Sequence, residues 1–136
     1  MDLVKALAVS ASGMSSQGVR LRVVAENLAN ANSTAEVPGG EPYRRKLVSF
    51  KTVLDREAGV ETVSVDRVGR DQSAFDTRFD PGHPSADPDG YVQLPNVKPM
   101  VELVDLREAQ RTYEANLNAL TAARTMLMRT IDLLRG

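Results

Sequence analysis

The sequence predicts an α+β fold: two long terminal helices pairing as a coiled-coil-like hairpin, with a small irregular antiparallel β unit between them. Three observations predict it. Near the N-terminus Leu7, Met14, Leu21 and Leu28 recur at sevens. Near the C-terminus Leu106, Tyr113, Leu120, Leu127 and Leu134 do the same. Two turns of helix cover about seven residues, so this spacing keeps one helical seam facing another helix. Between the two seams the chain breaks into short alternating stretches separated by Pro and Gly. The implied division is a discontinuous helical domain, residues 1–34 with 96–136, and a β domain, residues 35–95. The nine seam residues are the candidate subunit interface.

The first helix is expected from about Leu3 to Ala31. From Ala6 to Val19 it carries no charge, and nine of those fourteen residues are Ala, Ser or Gly. A solvated helix would show charged residues on its outer face, so this one reads as surrounded by partners. Gly13 and Gly18 cost roughly 1 kcal/mol each relative to Ala, which leaves the isolated helix marginal. The run Asn30 to Thr34 ends it, because Asn tolerates the left-handed conformation that closes helices.

Pro38, Gly39, Gly40 and Pro42 then open a loop. Tyr43–Phe50 and Val60–Val68 are the expected first two strands. Phe75, Thr77 and Phe79 alternate with Asp76, Arg78 and Asp80, a clear period of two. Pro81 to Gly90 is turn material, and Tyr91–Leu94 is a last short strand. Asn96 reads as the cap of the second helix, with Pro99 in its first turn. That helix is expected from Val97 to Leu134. Glu102 and Asp105 lie near its start and Arg124, Arg129 and Arg135 toward its end, the polarity that suits the helix dipole.

Composition narrows the function. The 136 residues carry a net charge of −1 and a pI near 5.8, which gives no positive field to hold nucleic acid. No cysteine is present, which excludes disulfides, thiolate metal sites and a Cys nucleophile. No apolar run approaches the roughly 20 residues that span a bilayer. The start, with Asp2, Lys5, Ser10 and Ser12, fits an amphipathic helix better than a cleaved signal peptide. His83, the single histidine, sits among Asp80, Asp87 and Asp89, yet the run lacks the full ligand set of a calcium loop, and its Pro and Gly favour a plain turn. No nucleophile elbow, zinc-binding helix or phosphate-cradling loop appears. The chain therefore reads as a non-enzyme with no catalytic, metal or cofactor residues. The basic cluster Tyr43-Arg44-Arg45-Lys46 reads first as a solvated strand edge and second as a contact to an acidic neighbouring subunit.

These runs also carry a resemblance. ASGMSSQGVRLRVVAENLANANS (Ala11 to Ser33) resembles the N-terminal signature of the axial proteins of bacterial flagella, the rod, hook and hook-associated family. The Tyr43 to Lys46 cluster after a Pro/Gly loop, the run PGHPSADPDGYVQLPNV (Pro81 to Val97) and the helix VELVDLREAQRTYEANLNAL (Val101 to Leu120) are most similar to the proximal rod branch of the C type. The resemblance covers nearly the whole chain and is weakest from Lys51 to Ser73.

It implies a structural subunit of the flagellar basal-body rod, the shaft that carries torque from motor to hook. Implied partners are other rod proteins, copies of itself, the flagellar type III export apparatus and the surrounding basal-body rings. The implied location is the periplasmic rod, reached unfolded and without a cleaved signal. A cysteine-free chain suits an oxidising compartment, and marginal helices suit folding on a template of neighbours. Two other classes fit less well. One is a subunit of an injection device exported by a related apparatus, against which the central run argues. The other is a peptidoglycan-acting enzyme, for which no acid pair in an apolar setting is recognisable.

Overall fold

Residues 2–136 are described by a computed structural model. The elements are α1 (Leu3–Ala29), β1 (Lys46–Asp55), β2 (Val60–Arg70), β3 (Asp76–Phe79), β4 (Tyr91–Leu94) and α2 (Pro99–Leu134). A helix at each end thus flanks a small antiparallel β region, the α+β order read from the sequence.

Helix α1 begins where Asp2 caps it: Oδ1 accepts the N–H groups of Val4 at 3.0 Å and Lys5 at 3.2 Å, two of the donors a helix start leaves without partners. Its end comes at Ala29, two residues before the expected Ala31, and by a different device. No non-glycine among the described residues has a positive φ. Instead the Asn30 side-chain amide and backbone N–H both donate to the Glu26 carbonyl, at 2.9 and 3.0 Å. The Ser33 hydroxyl then donates to Asn30 Oδ1 at 3.0 Å.

The strands form two separate hairpins, not one sheet. The expected first strand, Tyr43–Phe50, is displaced to Lys46–Asp55, and the second runs on to Arg70. In the turn between them Asp55 Oδ1 accepts the N–H groups of Glu57 and Ala58, each at 3.0 Å. Cross-strand bonds run from Thr62 Oγ1 to the Val53 carbonyl, 3.1 Å, and from Ser49 Oγ to the Arg67 carbonyl, 3.4 Å. Strands β3 and β4 pair antiparallel from Asp76↔Leu94 to Phe79↔Tyr91; Phe75, counted in the alternation, lies just outside.

Helix α2 begins at Pro99 rather than Val97. The Glu102 N–H bonds to the Lys98 carbonyl at 3.1 Å, which makes Lys98 the cap and puts Pro99 at the first helical position, where its missing N–H does no harm. Asn96 is not a cap. Its Oδ1 accepts the Arg45 N–H at 2.7 Å, and its amide donates to the carbonyls of Asp71 and Ser73 at 2.9 and 3.2 Å.

Two compact units result. The first comprises the chain up to Leu21, Val48–Arg67 and Arg107–Gly136; the second comprises Arg22–Leu47 and Val68–Leu106. In the first unit the helices are antiparallel. Gly13 meets Asn116 so closely that a Cβ on Gly13 would lie 2.7 Å from the Asn116 amide, and Arg20 reaches Glu108 at 3.4 Å. The β1–β2 hairpin lies on the small-residue face of α1. Ser16 Oγ donates to the Val63 carbonyl and the Val63 N–H donates to Ser12 Oγ, both at 3.4 Å. Part of the face expected to be covered by other subunits is therefore covered by the chain itself. Small side chains are what let a flat ribbon approach that helix. The second unit is centred on Val23, Val24, Val92 and Val97, with Asn27, Ser85 and Glu102 buried among them.

Candidate assembly interface

Burial on α2 in the first unit is confined to one narrow stripe. Ala109, Tyr113, Asn116, Leu120, Ala123 and Leu127 are buried or half-buried at alternating steps of four and three. Every other residue from 110 to 128 is exposed, Thr112 excepted. Tyr113, Leu120 and Leu127, selected from the sequence, lie on this stripe. On α1, Leu7, Met14 and Leu21 are half-buried, beside the deeper Ser10, Gly13 and Ser16. In the second unit Leu28 and Leu106 are half-buried too, next to the fully covered Asn27 and Glu102. Leu134 stands apart from this set, with 83% of its surface exposed.

The rest of the α2 circumference mixes charged with apolar residues. Leu117, Met126, Met128, Ile131 and Leu133 are all exposed, as are Met100 and Val104 nearer its start. Scattered apolar residues need no explanation on a protein surface. Four of them between Met126 and Leu133 leave both flanks of the covered stripe apolar, Met126 and Leu133 on one side and Ile131 and Met128 on the other, and exposed apolar surface of that extent marks an interaction site.

A polar clamp in the second unit ties the start of β1 to both helices. Asn27, 1% exposed, uses its whole hydrogen-bonding capacity. Its Oδ1 accepts the Lys46 N–H at 2.9 Å and the Tyr43 hydroxyl at 2.8 Å. Its amide donates to the Lys46 carbonyl at 2.9 Å and to Glu102 Oε2 at 3.2 Å. Glu102 is fully buried and also accepts from Arg45 Nε; Arg45 reaches Asp71 at 3.4 Å. Burial opposes the Arg45 charge, but the hydrogen bond and charge of Glu102, then those of Asp71, outweigh it and raise its pKa. Burial also pushes the Tyr43 phenol up, which keeps it a proton donor to Asn27.

The basic cluster is neither a solvated edge nor a free contact surface. Arg44 donates to the carbonyls of Asp71 and Ser73 at 2.9 and 3.2 Å and stacks on Phe75, 4.2 Å from the ring centre. Lys46 pairs with Glu26 at 2.8 Å, and this bond holds the Glu26 carboxyl below its ordinary pKa. Glu102 was read from the sequence as a residue suiting the helix dipole. It does stand in the first turn of α2, and its spacing carries a further signal: it leads the column Glu102, Ala109, Asn116, Ala123 at sevens, so it faces inward.

His83 builds a turn. Its Nδ1 receives the Ser85 N–H at 3.1 Å and lies 2.7 Å from the Ser85 hydroxyl. Among the described residues no three His, Cys, Asp or Glu side chains converge in a way that could hold a metal ion, and no helix is long and apolar enough to cross a membrane.

Comparison with known proteins bears on what these surfaces are for. Residues 7–35 match the family described as flagella basal body rod protein, and residues 89–133 match the C-terminal family of the flagellar basal body rod FlgEFG proteins. A relative from Agrobacterium fabrum is 47% identical over 128 residues, covering 94% of this chain and 92% of the relative. One from Bacillus subtilis is 41% identical over 149 residues, covering 98% and 99%. Another, from Salmonella typhimurium, is 38% identical over 135 residues, covering 98% of both. All three bear the name flagellar basal-body rod protein FlgC. Relatives matched over nearly their whole length settle the family: this chain belongs to the FlgC proteins, structural subunits of the proximal rod of the flagellar basal body.

Proposed function

We propose that this subunit assembles through its terminal helices, residues 1–34 and 96–136, into a tubular shaft that transmits torque from motor to hook. Residues 35–95 lie toward the outside of that shaft in this reading. The observation that carries it is the single covered stripe on α2, with Leu117, Met126, Met128, Ile131 and Leu133 exposed around it. An isolated helix has no use for such a surface, whereas a helix wedged between neighbours buries it. Close packing of this kind is stiff, because protein interiors at crystal-like density resist compression. The seam residues Leu7, Met14, Leu21, Leu28, Leu106, Tyr113, Leu120, Leu127 and Leu134 form the interface with the partner helix and with neighbouring subunits.

The partners we assign are copies of the chain, the adjoining rod proteins, the surrounding rings and the flagellar type III export apparatus. The role is structural rather than catalytic. Its site is the periplasmic rod.

The test is substitution at half-buried seam positions. Leu21→Asp or Leu120→Asp would bury a charge among apolar neighbours. Each is expected to abolish rod formation in isolated basal bodies, alongside a complemented deletion strain that restores it. Intact rods and normal swimming in either variant would overturn the reading.

A further inference from the structure

The β1–β2 ribbon leaves one edge of its backbone open. Within β1 the odd-numbered residues turn toward β2 and the connecting turn: the Val53 carbonyl accepts the Thr62 hydroxyl, and the Asp55 carbonyl accepts the Gly59 N–H. Peptide groups alternate along a strand, so the even-numbered residues present N–H and C=O on the other side. Lys46 shows this directly. Its N–H and C=O are both taken by the Asn27 side-chain amide, at 2.9 Å each, as the backbone of a neighbouring strand would take them. On the far edge of β2 the Ser12 and Ser16 hydroxyls do the same for Val63. No such substitute stands beside Val48, Phe50, Thr52 and Leu54. Their sheet has two strands only, and among the described residues no side chain or loop bonds to these outward groups.

The side chains along this edge are uncovered too. Ser49 to Leu54 are all exposed, with Phe50 at 38% and Leu54 at 58% on one face. A long apolar strand edge is a template for another strand, and proteins that have no use for one blunt it with proline, a bulge or charges. From Val48 to Leu54 there is no proline and a single charge, Lys51. The amine of Lys51 lies 3.9 Å from Asp66 of β2, so even this charge has a counter-ion inside the ribbon.

We infer that an extended segment of a different protein of the basal body adds to β1 as a third strand. The chemistry it needs is a backbone with its own N–H and C=O groups free along one edge, and apolar side chains at alternate positions to meet Phe50 and Leu54. A second copy of this chain does not supply that. Pairing β1 with β1 spends the same edge on both sides and closes a pair, which a growing shaft cannot extend. Strand β2 has its far edge against α1 in every copy. Strands β3 and β4 have four residues each, short of the open stretch from Val48 to Leu54. The strand addition rests on the rod-subunit reading above and agrees with residues 35–95 lying toward the outside of the shaft.

A photoreactive benzoylphenylalanine in place of Phe50, and separately of Leu54, in the full tagged chain expressed in a deletion strain, tests it. Presence of the chain in isolated basal bodies reads the rod role by itself. On irradiation both probes are expected to join one segment of one different polypeptide. The two attachment points should lie about four residues apart, the length of strand that covers ~13 Å; a helix needs about nine residues for the same distance. A product with a second copy of the chain, attachment points spaced as on a helix or in separate segments, or no product from rods that contain the chain, overturns the strand addition and leaves the rod role standing. A proline decides where the probes block incorporation. Thr52→Pro removes an outward N–H and no bond to β2, a change that edge strands tolerate. The purified variant is expected to melt as the parent chain does and yet be lost from basal bodies, while Thr52→Val is retained. Normal rods and swimming with Thr52→Pro, or loss of Thr52→Val as well, overturn it equally.

Discussion

Replacing Glu102 by Gln keeps the size of a fully buried side chain and removes its charge. In the native clamp the carboxylate accepts from Arg45 Nε and from Asn27 Nδ2. A glutamine amide keeps one acceptor and introduces a donor among donors, so one of the two bonds is lost. Removing one partner of a buried ion pair costs about 3–5 kcal/mol, most of it from the charge left behind. Here Arg45 is 21% exposed and still reaches Asp71, which relieves part of that cost and brings the expectation to about 2–3 kcal/mol. Against a total stability on the order of 5–15 kcal/mol, that is a large share. Urea unfolding of the full chain, followed by circular dichroism at neutral pH, measures it, with an unchanged slope showing that the two states are comparable. A loss below about 0.5 kcal/mol, the range of ordinary surface substitutions, would refute the reasoning. So would strict additivity with Arg45→Met, because side chains in one network couple by roughly 0.5–3 kcal/mol.

Acid should loosen the same unit. The Ser73 backbone N–H and hydroxyl, then Arg45, hold the Asp71 carboxyl below its ordinary 3.8, and Lys46 holds Glu26 below 4.5. With folded pKa values lowered, the native state binds fewer protons, so their stabilisation is present above those ordinary values and lost as pH falls through the folded ones; unfolding midpoints should drop below pH 4.5, and less steeply in Asp71→Asn. Gly18→Ala should stabilise the free chain by about 1 kcal/mol, since an added Cβ meets nothing within 4 Å, whereas Gly13→Leu should destabilise it by pushing beyond what Asn116 can yield; thermal melts of both read the contrast, and equal behaviour would count against the close approach at Gly13. Leu134→Asp should leave the melting of the free chain unchanged because the residue is 83% exposed, while rod formation fails if the helix end is buried on assembly.

The helices were legible because their signal repeats. Four or five apolar residues at sevens outweigh any single misleading position, and both helices lie within two residues of where that period put them. Strand β1 was less so. Tyr43 to Arg45 have strand-like composition, but their N–H groups go outside the β1–β2 ladder: the Tyr43 N–H donates to the Ser33 carbonyl and the Arg45 N–H to Asn96 Oδ1. Local composition does not encode a partner fifty residues away. For the same reason Arg45 and Glu102 passed as an edge charge and a residue suiting the dipole, and Asn27 drew no reading of its own, although each lies in a run that the resemblance picked out. The cover that the β1–β2 hairpin gives to Ser12 and Ser16 had no sequence signal beyond the small size of the residues it covers.

A seam of repeating sevens has a weakness that the clamp corrects. Two such helices can slide by one heptad, about 10 Å, and still match leucine to leucine. A single polar residue in a seam fixes alignment, since every other alignment leaves it unsatisfied. Glu102 is such a residue. A slip of seven would set Ala109 in its place opposite Asn27, leaving one amide hydrogen without an acceptor and the Arg45 guanidinium without its nearest counter-charge. The clamp is thus an index mark on an otherwise periodic scale: it sets the second unit of every copy in the same register, which a shaft built from many copies requires to run true.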